Sequence, residues 1–211
     1  MAPPGFSPET DRRPRDPTPQ SPPPPPPPPG DPLCYEVGPY IREGVSANRF
    51  ATLSAGTREG SVIGSFEAGE ALKEAGAGAC TVAIPGASEV TRASPYNQVT
   101  CPLAMDQSDI AHLEDFKQRR DTLTERLAQC PAMAEWTPRL EAQGDERDGS
   151  FTADQVFRHP DVPVEVLVRA AQHRKSGQWP DNYVRTLSLI LRTPNPDRPE
   201  PEPDPGAANE S

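Results

Sequence analysis

The chain has 211 residues, among them 30 prolines; 34% are apolar, 25% are charged, and the formal net charge is −10. Fifteen prolines fall in residues 1–32 and six in residues 194–211, which leaves about 160 residues to build a hydrophobic core, enough for one ordinary domain or two small ones. No apolar run approaches the roughly 20 residues of a bilayer span, and the start lacks the apolar stretch of a classical export signal. The expected setting is therefore the cytoplasm, with a virion or a cell envelope as alternatives.

Charge is unevenly spread: −1 in residues 1–32, −8 in 33–155, +3 in 156–192 and −4 in 193–211. An acidic body argues against a dominant phosphate-binding role, because that affinity comes from clustered Lys and Arg that displace counterions.

Residues 1–32 are low-complexity and end in an unbroken run of Pro22, Pro23, Pro24, Pro25, Pro26, Pro27, Pro28 and Pro29. Such a composition buries too little apolar surface to offset ordering entropy, so a disordered tail with local polyproline II is expected. At about 3.1 Å per residue the run spans roughly 25 Å, a stiff spacer. It also offers a preformed ligand for an aromatic groove on a protein partner.

From Cys34 the text CYEVGPYI, rich in β-branched and aromatic residues, predicts a first strand, and REGVSANRFATLSAG after it a modest helix stopped at Gly56. With its proline-rich lead-in, this stretch of about 20 residues, 34–54, resembles the opening of a SPOR domain, the small peptidoglycan-binding module of bacterial division proteins. The resemblance implies a cell-envelope glycan-binding module. The chain departs from that family's layout in lacking a membrane anchor ahead of the linker and in running on for over 100 residues.

SFEAGEALKEAG predicts a short helix from Ser65 to Gly76, while CTVAIPG alternates as a strand with Cys80, Val82 and Ile84 on one face. NQVTCPL is positioned to pair with it, which would bring Cys80 near Cys101. The intervening PGASEVTRASPY, bracketed by Pro85 and Pro95, is expected to be a loop.

Residues 108–129 form the most clearly patterned helix, with Ile110, Leu113, Phe116, Leu123 and Leu127 at three- and four-residue steps, Ser108 or Asp106 as cap, and Pro131 as stop. Arg120 falls on this otherwise apolar stripe. It either snorkels past the core edge or pairs with an acidic group, including one on another subunit. Beyond it, PAMAEWTPRLEAQ, the capping-box segment opened by Thr152 and Gln155, VPVEVLVRAAQHRK capped by Asp161, and PDNYVRTLSLILR all read as helices.

Few residues group as a reactive or metal-binding site requires. Residues 144–155 resemble an EF-hand loop around Gly149, but Gly144 and Gln155 occupy the end positions where calcium requires carboxylates. His112, His159 and His173 are isolated, and no Cys-x-x-Cys pair offers a zinc site. The cysteines 34, 80, 101 and 130 read first as reduced, buried thiols, and alternatively as two disulfides in an oxidising compartment. No P-loop, dinucleotide fingerprint or Gly-x-Ser-x-Gly elbow is present.

The expected fold class is α+β: a disordered tail at 1–32, a mixed part at 33–105, a helical part at 106–192, and a disordered acidic tail at 193–211. The expected role is a non-enzymatic interaction or structural protein, of the viral, phage accessory or adaptor type. Its folded body is presented on the polyproline spacer. A protein partner, no cofactor, no metal and no membrane insertion go with it; the alternatives are the envelope glycan module and a nucleic-acid-binding helical module at 150–192. Pro22 to Pro29 and Arg120 are the candidate protein-binding residues.

Overall fold

The computed structural model describes residues 30–53, 62–85, 95–108, 113–145, 149–175 and 182–196. Residues 1–29 and 197–211, including the whole run from Pro22 to Pro29, lie outside the described residues, as do Ile110, His112 and the expected loop at 86–94. The expected tails at 1–32 and 193–211 are shorter than that at their inner ends, since Asp31 and Pro32 open the first helix and Thr193 and Pro194 end the last strand.

Seven strands dominate: β1 (Val62–Glu67), β2 (Ala79–Ile84), β3 (Tyr96–Ser108), β4 (Thr137–Asp145), β5 (Ser150–His159), β6 (Val162–Lys175) and β7 (Asn182–Pro194). They form one antiparallel sheet in the order β1-β2-β3-β7-β6-β5-β4. Among the described residues three α-helices accompany them, α1 (Pro32–Val45), α2 (Glu70–Glu74) and α3 (Glu114–Ala128). α1 contacts β6 and β7, and α3 contacts β5, β6 and β7, so both lie against the middle of the sheet.

This corrects the expected α+β layout of a mixed part followed by a helical part. The three segments read as consecutive helices after Thr152 are strands β5, β6 and β7, and PAMAEWTPRLEAQ is a single 3-10 turn, Pro131–Met133, leading into β4. The reason is visible in β6. Val164, Val166, Val168 and Ala170 line the helix-covered core, while Leu167, between them, is buried in a separate cluster with Val156 and Ile190. A strand buried on both faces loses the apolar-polar alternation that identifies strands and reads as a continuous apolar run, which sequence cannot tell from a buried helix.

The opposite exchange occurs at the start. CYEVGPYI, expected to be a strand, belongs to α1: Leu33, Val37 and Ile41, at four-residue steps, form its buried stripe. Pro32 takes the first turn, where its missing amide costs nothing, and Asp31 caps the helix by accepting from the Leu33 amide at 2.9 Å. Pro39 inside the helix removes the amide that would bond the Tyr35 carbonyl, and Tyr35 lies on the exposed side. Where a SPOR-like opening would place a strand, the chain places this helix. The following REGVSANRFATLSAG is not a second helix over its described residues but the end of α1, turns and the 3-10 turn Ala51–Leu53.

SFEAGEALKEAG also divides, into the end of β1 and the short α2. Gly76 follows α2 at φ 112°, and an added Cβ there would lie 2.1 Å from the Leu103 carbonyl oxygen. The start of α2 has no cap of its own; the Glu36 carboxylate of α1 accepts from the Ala71 and Leu72 amides at 2.7 and 3.1 Å. α3 keeps the predicted stripe of Phe116, Leu123 and Leu127, but begins after Leu113 with no side-chain cap, because Asp106 and Ser108 belong to β3.

The four cysteines, read first as reduced thiols, are all paired. Cys34 of α1 bonds Cys130 beyond α3, with 5.1 Å between Cα atoms and 96 residues of separation. Cys80 bonds Cys101 across β2 and β3, with Cα atoms 4.2 Å apart, in line with the register that sets Thr81 opposite Thr100. The pairing of CTVAIPG with NQVTCPL predicted that approach.

Candidate functional site

The sheet has two unlike faces. On one, α1, α3 and the main core meet; on the other lies a narrow apolar row in which Val156, Leu167 and Ile190 stand directly opposite one another on β5, β6 and β7. No helix of the described residues joins that cluster, yet its members are only 0%, 1% and 6% exposed. What roofs the row is charge. Glu165 and Arg192 are directly opposite each other on β6 and β7, and Arg192 Nε donates to Glu165 Oε2 at 2.6 Å. Arg158 Nε donates to the other Glu165 oxygen, while its Nη1 donates to Glu141 Oε1 on β4. Signs therefore alternate across four strands: Arg192, Glu165, Arg158, Glu141.

The strand register explains the cover. Arg158 faces Thr137 and Glu141 faces Asp154, with Arg139 and Val156 as the pair between them. The Arg158 to Glu141 ion pair thus spans that intermediate pair. On the far side of the row, Arg169 meets Asp154, directly opposite on β5, through two hydrogen bonds of 2.9 and 2.6 Å. At the β7 end the Arg192 guanidinium lies 4.2 Å over the Tyr96 ring.

These contacts shift the groups as their chemistry requires. The bond from Arg158, then its charge, overcomes partial burial and holds the Glu141 carboxyl below the usual range. The bond to Glu141 does most to push the Arg158 guanidinium upward, with Glu165 adding to it. Arg169 is raised chiefly by its bond to Asp154.

The ladder ends at β4, an edge strand that pairs with β5 alone among the described residues. Every β4 residue is exposed except Glu141, which is half-buried, and Leu140 is 55% exposed. Arg139 has no hydrogen bond or ion pair among the described residues, and Glu141 spends one carboxylate oxygen on Arg158, leaving Oε2 unbonded there. In an edge strand alternate residues aim their amides and carbonyls outward, unpaired.

Among the described residues, two concavities lie away from this edge. One, of about 260 Å³, is lined by Gly30, Tyr35, Gly38, Pro39, Arg42, Pro131 and Ala132 beside the Cys34–Cys130 bridge. The other, of about 310 Å³, opens between α3 and the sheet, with Arg119, Arg126 and Gln118 around an apolar floor of Leu103, Leu123 and Leu187. Arg126 is already committed, gripping Asp31 with two bonds of 2.8 and 2.9 Å that tie α3 to the start of α1.

Arg120 lies on the buried stripe of α3, 5% exposed. Its guanidinium bonds Asp121 at 2.8 Å and approaches the Ala153 carbonyl oxygen at 3.4 Å, so both of these partners belong to the same chain. Pro22 to Pro29 lie outside the described residues. His159 stands against Glu135 at 3.1 Å and against the Trp136 ring, far in sequence from His173 on β6. With every cysteine in a disulfide, no thiol remains to pair with a histidine as a nucleophile. Among the described residues no three His, Cys, Asp or Glu side chains gather as a metal site. No helix there is long and apolar enough to cross a membrane. Residues 144–155 run from the end of β4 into β5, between strands rather than helices.

Sequence reasoning missed Glu141, Arg158, Glu165 and Arg192. Their signal is positional, since each sits two residues from an apolar or charged neighbour on the same strand face, and it becomes readable only once 137–194 is recognised as strands. No protein-family model, no curated protein and no solved structure matches this chain.

Proposed function

We propose that the chain is a non-enzymatic interaction module whose disulfide-braced body is carried on its proline-rich N-terminal segment and recognises an extended protein strand at the free edge of β4. The observation that supports this reading is β4 itself. It is nine residues long, exposed on nearly every residue, and open along one side among the described residues. An added strand gains affinity from main-chain hydrogen bonds and specificity from the side chains it meets, here Leu140 and the Arg139 and Glu141 charges. The two disulfides favour delivery to an oxidising compartment, since such bonds do not persist against cytosolic reductants.

The test is a capture experiment with the full chain beside three variants: Leu140→Pro, Met105→Lys on the exposed part of β3, and a deletion of Pro22 to Pro29. Leu140→Pro removes an edge amide and disturbs the pairing surface. Partners lost with Leu140→Pro and kept with Met105→Lys support the β4 reading, provided the variant's circular dichroism is unchanged. Capture that survives Leu140→Pro refutes it. Loss on deletion of the proline run would make that run a ligand in its own right, while an unchanged set leaves it a spacer.

A further inference from the structure

Building on the reading of β4 as a docking edge, we propose that its occupant is a second copy of this chain, paired antiparallel about Leu140. Antiparallel edge pairing between identical strands has a two-fold axis perpendicular to the sheet, and that axis sets one residue opposite its own copy. The sequence of β4, Thr137-Pro-Arg-Leu-Glu-Ala-Gln-Gly-Asp, discriminates among the choices of that residue.

Centred on Arg139 or on Glu141, the pairing sets like charges directly opposite each other, which is unfavourable. Centred on Leu140, it sets Arg139 opposite the second copy's Glu141, twice over. Leu140 meets its own copy, covering two of the few large apolar side chains exposed on the described surface. Arg139, without an ion pair of its own among the described residues, faces the carboxylate whose Oε2 is unbonded there. The alternation of Arg192, Glu165, Arg158 and Glu141 then continues into the second copy's Arg139. A pairing centred on Ala142 sets Arg139 opposite Asp145, but leaves Leu140 against Gly144. Because β4 begins at Thr137, a pairing centred on Leu140 spans 137–143, and Pro138, with no amide hydrogen to donate, stands near each end of it. Helices of both copies fall on the same side of the extended sheet.

The test uses sedimentation equilibrium of the full chain from about 1 µM to 500 µM. The expected result is a reversible dimer for the wild type, with Arg139→Glu and Glu141→Arg each weakening it at least tenfold. Each variant alone opposes like charges. An equimolar mixture sets the glutamate introduced in one copy opposite the arginine introduced in the other, and keeps the native Arg139 of the second opposite the native Glu141 of the first. The mixture therefore recovers the dimer. Glu141→Arg also loses its bond to Arg158, so its fold is checked by thermal unfolding; if it is unfolded, Leu140→Cys replaces it. That variant forms a covalent dimer without reductant, while Met105→Cys, at a position at least as exposed, does not. A wild type that stays monomeric throughout, an Arg139→Glu variant of unchanged mass, or an Asp145→Arg variant weakened as much as Glu141→Arg overturns the proposal. A monomeric wild type that still loses captured partners on Leu140→Pro leaves the docking edge standing and removes only the second copy.

Discussion

Replacing both Cys34 and Cys130 with alanine removes the cross-link that closes the longer loop of the chain, 96 residues in separation. Loop-closure entropy for a ring of that size amounts to about 4.7 kcal/mol of stabilisation through the unfolded state. The same relation gives about 3.4 kcal/mol for Cys80–Cys101, 21 residues apart. Because a whole domain is stable by about 5–15 kcal/mol, losing the longer bridge removes a large part of the total. The bridge also joins the start of α1 to the segment after α3, the two helices that cover the sheet. The assay is urea unfolding without reductant, followed by circular dichroism, for the wild type and the Cys34→Ala/Cys130→Ala and Cys80→Ala/Cys101→Ala pairs. The first pair should lose about 4–5 kcal/mol and show the larger rise in m-value, since its unfolded chain regains more exposed surface. The second pair leaves a void where both sulfurs are fully buried, so its free-energy loss exceeds the loop entropy and the m-value is the cleaner discriminator. A loss below about 1 kcal/mol for the first pair, or four reactive thiols in the unreduced denatured wild type, refutes the reasoning.

Two further outcomes follow from charged contacts. Glu165→Gln keeps the shape of a side chain that accepts from both Arg158 and Arg192, but leaves two guanidiniums without their shared anion. Stability measured by urea unfolding should fall by about 1–3 kcal/mol, and a loss under about 0.3 kcal/mol would reduce the ladder to an ordinary surface pair. Asp31→Asn keeps an oxygen to cap α1 while removing the charge that Arg126 grips. The Asp31 carboxyl is depressed, first by the Arg126 bond, so its stabilisation is present above the unfolded carboxylate value near pH 4 and is lost as pH falls through the lower folded value. The wild type should therefore exceed Asp31→Asn in stability at pH 6, with the gap closing below about pH 4; a gap that stays constant to pH 2 refutes the linkage.

Much of the punctuation is legible in the residues alone. CTVAIPG and NQVTCPL are paired strands because their alternation is clean: each has one buried face, so polar residues mark the other. The closeness of Cys80 and Cys101 follows from that pairing. The stripe of α3 is equally plain, as only one of its faces meets the sheet. The candidate site is not legible. Arg158, Glu165 and Arg192 look like scattered surface charges until β5, β6 and β7 are laid side by side, and Glu141 lies in PAMAEWTPRLEAQ, a segment that reads as a helix.

The chain's own residues decided where elements stop and which cysteines and apolar positions must be covered, because caps, prolines and one-sided periodicity act within a few residues of themselves. Whether 150–194 became helices or strands was decided only by the sheet. Leu167 and Val166 are both buried, on opposite faces, and no local pattern records which neighbour covers which side. The same holds for α1, whose β-branched and aromatic text favours a strand until Leu33, Val37 and Ile41 find the β6–β7 surface and Cys130 holds the first turn in place. Non-local burial outweighs local propensity there, and it is non-local pairing again that turns four separate charges into a ladder ending at an open edge.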